Sequence, residues 1–130
     1  MSENLEHLGK IARALVENRG LDNVEWDEAA VVFGFSDKGN VNDTYGYAYD
    51  SSGDWTAISF RPREIREPVD AYREWLRREG DKGLIRMLFQ MNRISKKVNA
   101  VFEYDDGSRW NVTAANLDRM IEELRPNLGG

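Results

Sequence analysis

The stretch that decides the fold is residues 41–50, which read Val-Asn-Asp-Thr-Tyr-Gly-Tyr-Ala-Tyr-Asp. Tyrosines occupy every second position, at Tyr45, Tyr47 and Tyr49, and small residues stand between them. A period of two is that of a β-strand, in which successive side chains point to opposite faces of the sheet. The stretch therefore predicts a strand with one tyrosine face and one small-residue face.

Turn-forming clusters bound this strand on both sides. They are Ser-Asp-Lys-Gly-Asn at residues 36–40 and Asp-Ser-Ser-Gly-Asp at residues 50–54, and apolar runs lie beyond them at 29–35 and 55–60. Clusters of Gly, Asn, Asp and Ser favour tight connections between antiparallel strands. We therefore predict a three-stranded antiparallel meander that ends before Pro62, because proline has no N–H group to donate to a sheet.

Apolar residues recur at spacings of three and four elsewhere in the chain, which is typical of amphipathic helices. The first predicted helix covers residues 3–19, with Ser2 as its N-cap. A second helix begins at Pro68, and a third covers residues 84–91. The last helix begins after Thr113, whose side chain is predicted to cap it.

A second antiparallel hairpin is predicted before the last helix. Residues 98–104 alternate, residues 105–108 read Asp-Asp-Gly-Ser, and Trp110 and Val112 are expected on the returning strand. Residues 127–130 are expected to form a frayed tail. The predicted order is α-βββ-αα-ββ-α, which indicates an α+β fold with a single antiparallel sheet and helices packed on one face. A length of 130 residues indicates one domain, residues 1–130.

The composition excludes several kinds of chemistry. There is no cysteine, so a disulfide scaffold, a thiolate metal site and a cysteine nucleophile are excluded. The single histidine, His7, excludes a zinc site with three histidines. We predict no cofactor, no metal and no enzymatic activity. Without a long apolar run or a signal-like start, we expect a cytoplasmic protein with no membrane partner.

The charge is distributed unevenly along the chain. The formal net charge is −5, yet residues 1–60 carry 4 basic and 11 acidic residues, and residues 61–97 carry 11 basic and 6 acidic ones. The isoelectric point of about 5.0 is opposite to the basic footprint of nucleic-acid-binding proteins, so no direct nucleic-acid partner is predicted. An acidic surface attracts basic partners over long distances and speeds their association.

An acid-rimmed aromatic patch is the candidate interaction site. Its residues are Asp43, Tyr47, Asp50, Asp54 and Trp55. Aromatic side chains at the centre of a polar rim are typical of protein–protein hot spots. The same pattern also fits tyrosines that pack under a helix with their hydroxyls at its edge. The pattern leaves open which face of the sheet is buried.

The order of elements resembles that of the YezG-like immunity proteins of bacterial polymorphic toxin systems. The resemblance covers nearly the whole chain and includes the pair Val32-Phe33, the Tyr47–Tyr49 strand, the Trp55 strand and Phe-Glu-Tyr-Asp-Asp-Gly at residues 102–107. It implies a cytoplasmic bacterial antitoxin that neutralises a cognate toxin domain, often a nuclease, as in contact-dependent inhibition. Such proteins act by occlusion, so no catalytic residue carries over. We expect a monomer or a weak homodimer.

Two other functions remain open from the sequence. A chaperone or adaptor for a secreted effector would have the same acidic surface together with an apolar groove. A small carboxylate-dependent hydrolase would gather several of the 23 acidic residues in one pocket.

Overall fold

The computed structural model of the protein describes residues 3–22 and 24–128. Ser2 and residues 129–130, for which a cap and part of a tail were predicted, lie outside this range. The described elements, in chain order, are α1 (Glu3–Val16), α2 (Arg19–Asp22), β1 (Glu28–Phe35), β2 (Val41–Tyr49), β3 (Trp55–Ile58), α3 (Pro62–Arg78), β4 (Arg86–Asn92), β5 (Val98–Glu103) and α4 (Leu117–Leu124). No helix in this part of the chain is long and apolar enough to cross a bilayer.

The five strands form one antiparallel sheet in the order β3-β2-β1-β4-β5. The predicted meander is confirmed, with Val31 of β1 opposite Gly46 of β2 and Tyr49 of β2 opposite Trp55 of β3. The α+β class with a single antiparallel sheet is confirmed as well. β1 is the central strand, and its six middle residues are all buried.

Apolar side chains of β1 point alternately to two hydrophobic clusters. On the face that we call the α1 face, Val31 and Phe33 pack with side chains of α1 and α3 such as Ile11 and Val69. The two long helices therefore share one face, as predicted. On the opposite α4 face, Val32 and its neighbours pack with the short helix α4, which adds partial cover there.

The prediction of a third helix over residues 84–91 is wrong, because these residues lie largely in β4. The spacing of Leu84, Met87, Leu88 and Met91 fits a helix. However, β4 is covered on both faces, with Met87 and Met91 in the cluster under α1 and Leu88 in the cluster under α4. A strand that is buried on both faces is apolar at nearly every position, so it lacks the period of two that identifies a strand.

The second hairpin also differs from the prediction. It is formed by β4 and β5, and residues 110–112 form no strand. The Glu103 carboxylate accepts hydrogen bonds from the amides of Asp105 and Asp106 at 3.0 Å, and Arg109 pairs with it at 2.9 Å. Those amide bonds, together with Arg109, lower the pKa of Glu103 to about 2. The chain therefore curls into a compact loop, and Trp110 adopts a positive φ of 68°.

Three helix boundaries differ from the sequence-based positions. The first helix ends at Val16, and the helix predicted from Pro68 begins six residues earlier at Pro62, with Pro68 inside it. The last helix has Asn116 as its N-cap residue, with no side-chain capping bond. Thr113 does not cap it directly, since the side chains of Thr113 and Asn116 bond to each other's backbone amides.

Gly46 allows β1 and β2 to approach closely at the centre of the sheet. A Cβ atom at this position would overlap the carbonyl oxygen of Ala30 and lie 2.9 Å from the Cα atom of Val31. The small residue in the tyrosine strand is therefore required by the neighbouring backbone.

We expect Gly46→Ala to lower the free energy of unfolding by about 3 kcal/mol, because the β1 backbone must move to accept the methyl group. Gly9→Ala is the matched control. A Cβ atom at Gly9 would have no neighbour within 4 Å, so this helical substitution is expected to stabilise the protein by up to about 1 kcal/mol. Urea denaturation of both variants measures the difference. Equal stability of the two variants would contradict this account.

Candidate functional site

The structure brings four of the five predicted site residues together. Tyr47, Asp50, Asp54 and Trp55 lie in the β2–β3 connection and its flanking strands, residues 47–57, which we call the Trp55 hairpin. The fifth residue, Asp43, lies near the other end of β2. At about 3.3 Å per strand residue, it is roughly 20 Å from the turn.

Trp55 is the exposed aromatic residue of this hairpin. Its side chain is 42% exposed, and its ring packs edge-on against that of Tyr47, with the ring centroids 5.4 Å apart. Tyr47 is only 5% exposed and packs beside the indole on the same face of the sheet. A tryptophan held in this way offers a large apolar surface at a small cost in side-chain entropy, which is typical of an interface anchor.

The two acidic residues of the hairpin tip have different roles. Asp50 Oδ1 accepts hydrogen bonds from the Ser52 hydroxyl at 2.7 Å and from the amides of Ser52 and Asp54 at 2.9 and 3.0 Å. These bonds, above all that from the Ser52 hydroxyl, lower the pKa of Asp50. Asp50 therefore fixes the turn as a carboxylate, and Asp54 presents the more exposed negative charge beside Trp55.

Arg125, just after α4, attaches the hairpin tip to the rest of the protein. Its Nη2 atom donates to the carbonyl oxygen of Gly53 at 3.0 Å and pairs with Glu122 at 2.8 Å. Its guanidinium lies 4.4 Å from the centroid of the Tyr49 ring. The turn is thus stabilised by a residue distant in the sequence, which reduces the conformational entropy that is lost when a partner binds.

The strand tyrosines follow the packed alternative of the sequence analysis. The hydroxyls of Tyr45 and Tyr49 donate to the carbonyl oxygens of Trp110 and Ile121. Burial raises the pKa of all three tyrosines. Tyr47 differs from the other two, because no described residue hydrogen-bonds its hydroxyl and its ring borders a cavity of about 360 Å³ that Val112 also lines. Its role in partner binding stays a prediction.

Asp43 is tied to a buried cation. Its Oδ2 atom lies 4.0 Å from Nη2 of Arg86, which is only 8% exposed. Arg86 also donates to the carbonyl oxygen of Gly107 and to the hydroxyl of Tyr45. Its Nε atom is buried and has no partner among residues 3–22 and 24–128. A carboxylate next to such a group contributes to folding, so a change at Asp43 would not report on partner binding alone.

A second surface feature lies on the α1 face, and we call it the α1 groove. This cavity of about 410 Å³ separates α1 from the β4–β5 turn, and its apolar lining includes Leu5, Ala12, Val16, Trp26, Met91 and Val98. Arg93 and Lys96 lie at its rim. This groove was not predicted from the sequence, although Leu5, Gly9, Ala12 and Val16 recur at helical spacing along one side of α1.

Metal chemistry has no candidate centre in the described part of the chain. There, no three side chains of His, Asp or Glu lie close enough together to hold an ion. The acidic residues of the candidate site are likewise divided between the hairpin tip and the Arg86 region. The hydrolase hypothesis requires acids gathered in one pocket, and it gains no support from this arrangement.

We expect Arg125→Ala to loosen the hairpin tip. Loss of a charged hydrogen bond to Gly53 should lower the free energy of unfolding by about 1–2 kcal/mol and speed amide exchange in residues 50–54. Arg119→Ala, on the exposed side of α4, is the matched control and should change stability by less than about 0.5 kcal/mol. Hydrogen exchange of the 36–40 turn gives the internal reference. Similar exchange at 50–54 in both variants would show that Arg125 does not hold the tip.

Comparison with other proteins assigns no family. No protein-family model matches the chain, and a search of curated proteins found no match. The resemblance to YezG-like immunity proteins therefore stays a prediction, and a function has to be argued from the geometry of the Trp55 hairpin and the α1 groove.

Proposed function

We propose that this chain is an immunity protein that binds a cognate toxin domain through the Trp55 hairpin and occludes the active site of that domain. The observation that carries the proposal is Trp55 itself, a large exposed ring fixed against buried Tyr47 and next to the Asp54 carboxylate. The resemblance named from the sequence points to the same class of function.

The chemistry of the hairpin fits a basic partner such as a nuclease domain. A nuclease groove carries cations that hold phosphate groups, and carboxylates can compete with phosphate for them. Trp55 would supply desolvated contact area, and Asp54 would supply attraction at a distance. Occlusion requires shape, charge and a rigid contact surface, and it requires no catalytic group on the inhibitor.

We expect Trp55→Ala to weaken binding by about 30-fold or more, which corresponds to the loss of about 2 kcal/mol at a central anchor. The matched control is Ile94→Ala, because Ile94 is 74% exposed and lies on the β4–β5 turn, away from the hairpin. The probe is the purified product of the reading frame next to this gene, and calorimetry measures its affinity. Equal losses in the two variants would contradict the assignment of this surface.

Asp54→Lys should slow association with that protein, and the effect should shrink as the salt concentration rises. The thermal midpoint should stay nearly constant, because Asp54 is exposed and Asp50 holds the turn. Asp43→Lys is the contrasting variant, since it removes the charge beside buried Arg86 and should lower the midpoint. Stopped-flow association and thermal melts test both expectations.

The α1 groove favours a second function, an adaptor for a secreted effector. An apolar cavity with a cationic rim suits an amphipathic segment that carries acidic residues, and α1 supplies one wall of it. In this function Trp55 would have no role.

Co-expression with the product of the neighbouring reading frame separates the two functions. For an immunity protein, co-expression abolishes toxicity, Trp55→Ala loses protection and Val16→Lys in the groove retains it. For an adaptor, toxicity persists, and Val16→Lys reduces secretion of the effector while Trp55→Ala does not. Val16 is 47% exposed, so the lysine can be accommodated without a change in the core. Turnover of a substrate by the purified chain alone would contradict both functions.

A further inference from the structure

The outer edge of β5 presents open backbone groups. At the end of β4, Asn92 N–H donates to Lys97 O at 3.0 Å, on the β5 side. The next residue, Arg93, donates its N–H to Asp27 O at 2.7 Å, on the β1 side. Successive residues of β4 therefore bond alternately to β5 and to β1. In an antiparallel ladder this alternation directs the N–H and C=O groups of Val98, Ala100 and Phe102 away from β4. Within residues 3–22 and 24–128, no hydrogen bond from another residue reaches these groups.

The other edge of the sheet is much less open. β3 has only four residues. The hydrogen bond from Asp50 N–H to Asp54 O shows which residues of β3 bond to β2. Of the four, only Trp55 and Ala57 direct their backbone N–H and C=O groups away from the sheet. Proteins usually protect an edge strand by short length, proline, bulges or charge. β5 is longer, and residues 98–102 contain neither proline nor a charged side chain.

The two ends of β5 carry opposite charges. Lys96 and Lys97 precede the strand. Glu103 and the exposed Asp105 and Asp106 stand at its end, where Glu103 pairs with Arg109 and Asp105 with Lys82. Between them the side chains of the strand are half-buried or exposed, and none is fully buried. The edge is therefore a short stretch of strand that is uncharged over residues 98–102, with a positive start and an acidic end.

We propose that the edge pairs with the β5 edge of a second copy of this chain, antiparallel and about a two-fold axis at Ala100. This register places Val98 opposite Phe102 of the second copy, and Lys97 opposite its Glu103. Every outward N–H and C=O group of the strand then finds a partner. The exposed Lys97 of each copy lies at the acidic end of the other strand, where Glu103 is already paired with Arg109 and Asp105 and Asp106 are exposed. Parallel pairing would bring like charges together, and antiparallel registers shifted from Ala100 leave outward groups unpaired.

The dimer has one continuous ten-stranded sheet, and it leaves the Trp55 hairpin uncovered. β3 lies four strand spacings from β5, which is about 19 Å. The inference is independent of the proposed function, because it concerns the opposite edge of the sheet and a different partner.

Disulfide trapping tests the pairing directly, since the native chain contains no cysteine. Hydrogen-bonded antiparallel residues lie about 5.5 Å apart at their Cα atoms, which is within the range for a disulfide. We expect Ala100→Cys to form a covalent dimer under mild oxidation, and much faster than Ser52→Cys on the exposed 50–54 turn. Equal rates for the two variants would overturn the register.

Two further variants test the dimer by sedimentation equilibrium from low-micromolar to near-millimolar protein. Ala100→Pro removes one outward donor from each copy but no bond to β4, so the dissociation constant should rise by about tenfold or more. Lys97→Glu leaves the backbone unchanged and should also weaken the dimer several-fold, with an unaltered thermal midpoint at protein concentrations where the chain is monomeric. A wild-type chain that stays monomeric throughout, or a dimer that is unaffected by Lys97→Glu, overturns the proposal.

Discussion

The burial of β1 on both of its faces is the constraint on which the rest of the structure depends. Its middle residues are apolar and fully covered, so both sides of the sheet need a hydrophobic layer. α1 and α3 provide one layer, and the segment that ends in α4 provides the other. The second layer is thinner because α4 has only eight residues. The polar groups of that segment therefore lie within reach of the sheet.

The candidate site is a consequence of this thin second layer. In a long helix most carbonyl groups accept hydrogen bonds within the helix. In the segment before and within α4, the carbonyl oxygens of Trp110 and Ile121 accept hydrogen bonds from the hydroxyls of Tyr45 and Tyr49 instead. Arg125, just after the helix, reaches the hairpin tip in the same way. These contacts join β2 and the β2–β3 turn to the segment around α4, and the turn that they hold leads directly into Trp55. The rigidity of the hairpin thus depends on residues some 70 positions away.

The features that could be predicted from the sequence are those determined by local residue patterns, such as turns and single strands. The meander was predictable because each of its turns is marked by Gly, Asn, Asp and Ser, and the hairpin residues came together because they are neighbours in one such turn. β4 was not predictable from its period, since burial on both faces removes the alternation. Arg125 and Arg86 were not predictable either, because their partners, Gly53 and Tyr45, lie 72 and 41 positions away.

The two edges of the sheet differ in how they are protected, and this difference suggests a division of roles. β3 is short and carries a bulky tryptophan, and the turn before it is held by Arg125, so it offers side chains more than backbone. β5 offers mainly backbone. Contacts through side chains can select one partner by shape and charge, whereas backbone pairing selects any strand of suitable length. The edge with side-chain character is therefore the one suited to recognising a foreign protein. At the backbone edge only the charged residues beyond its two ends add selectivity, and an identical strand running antiparallel complements them by symmetry.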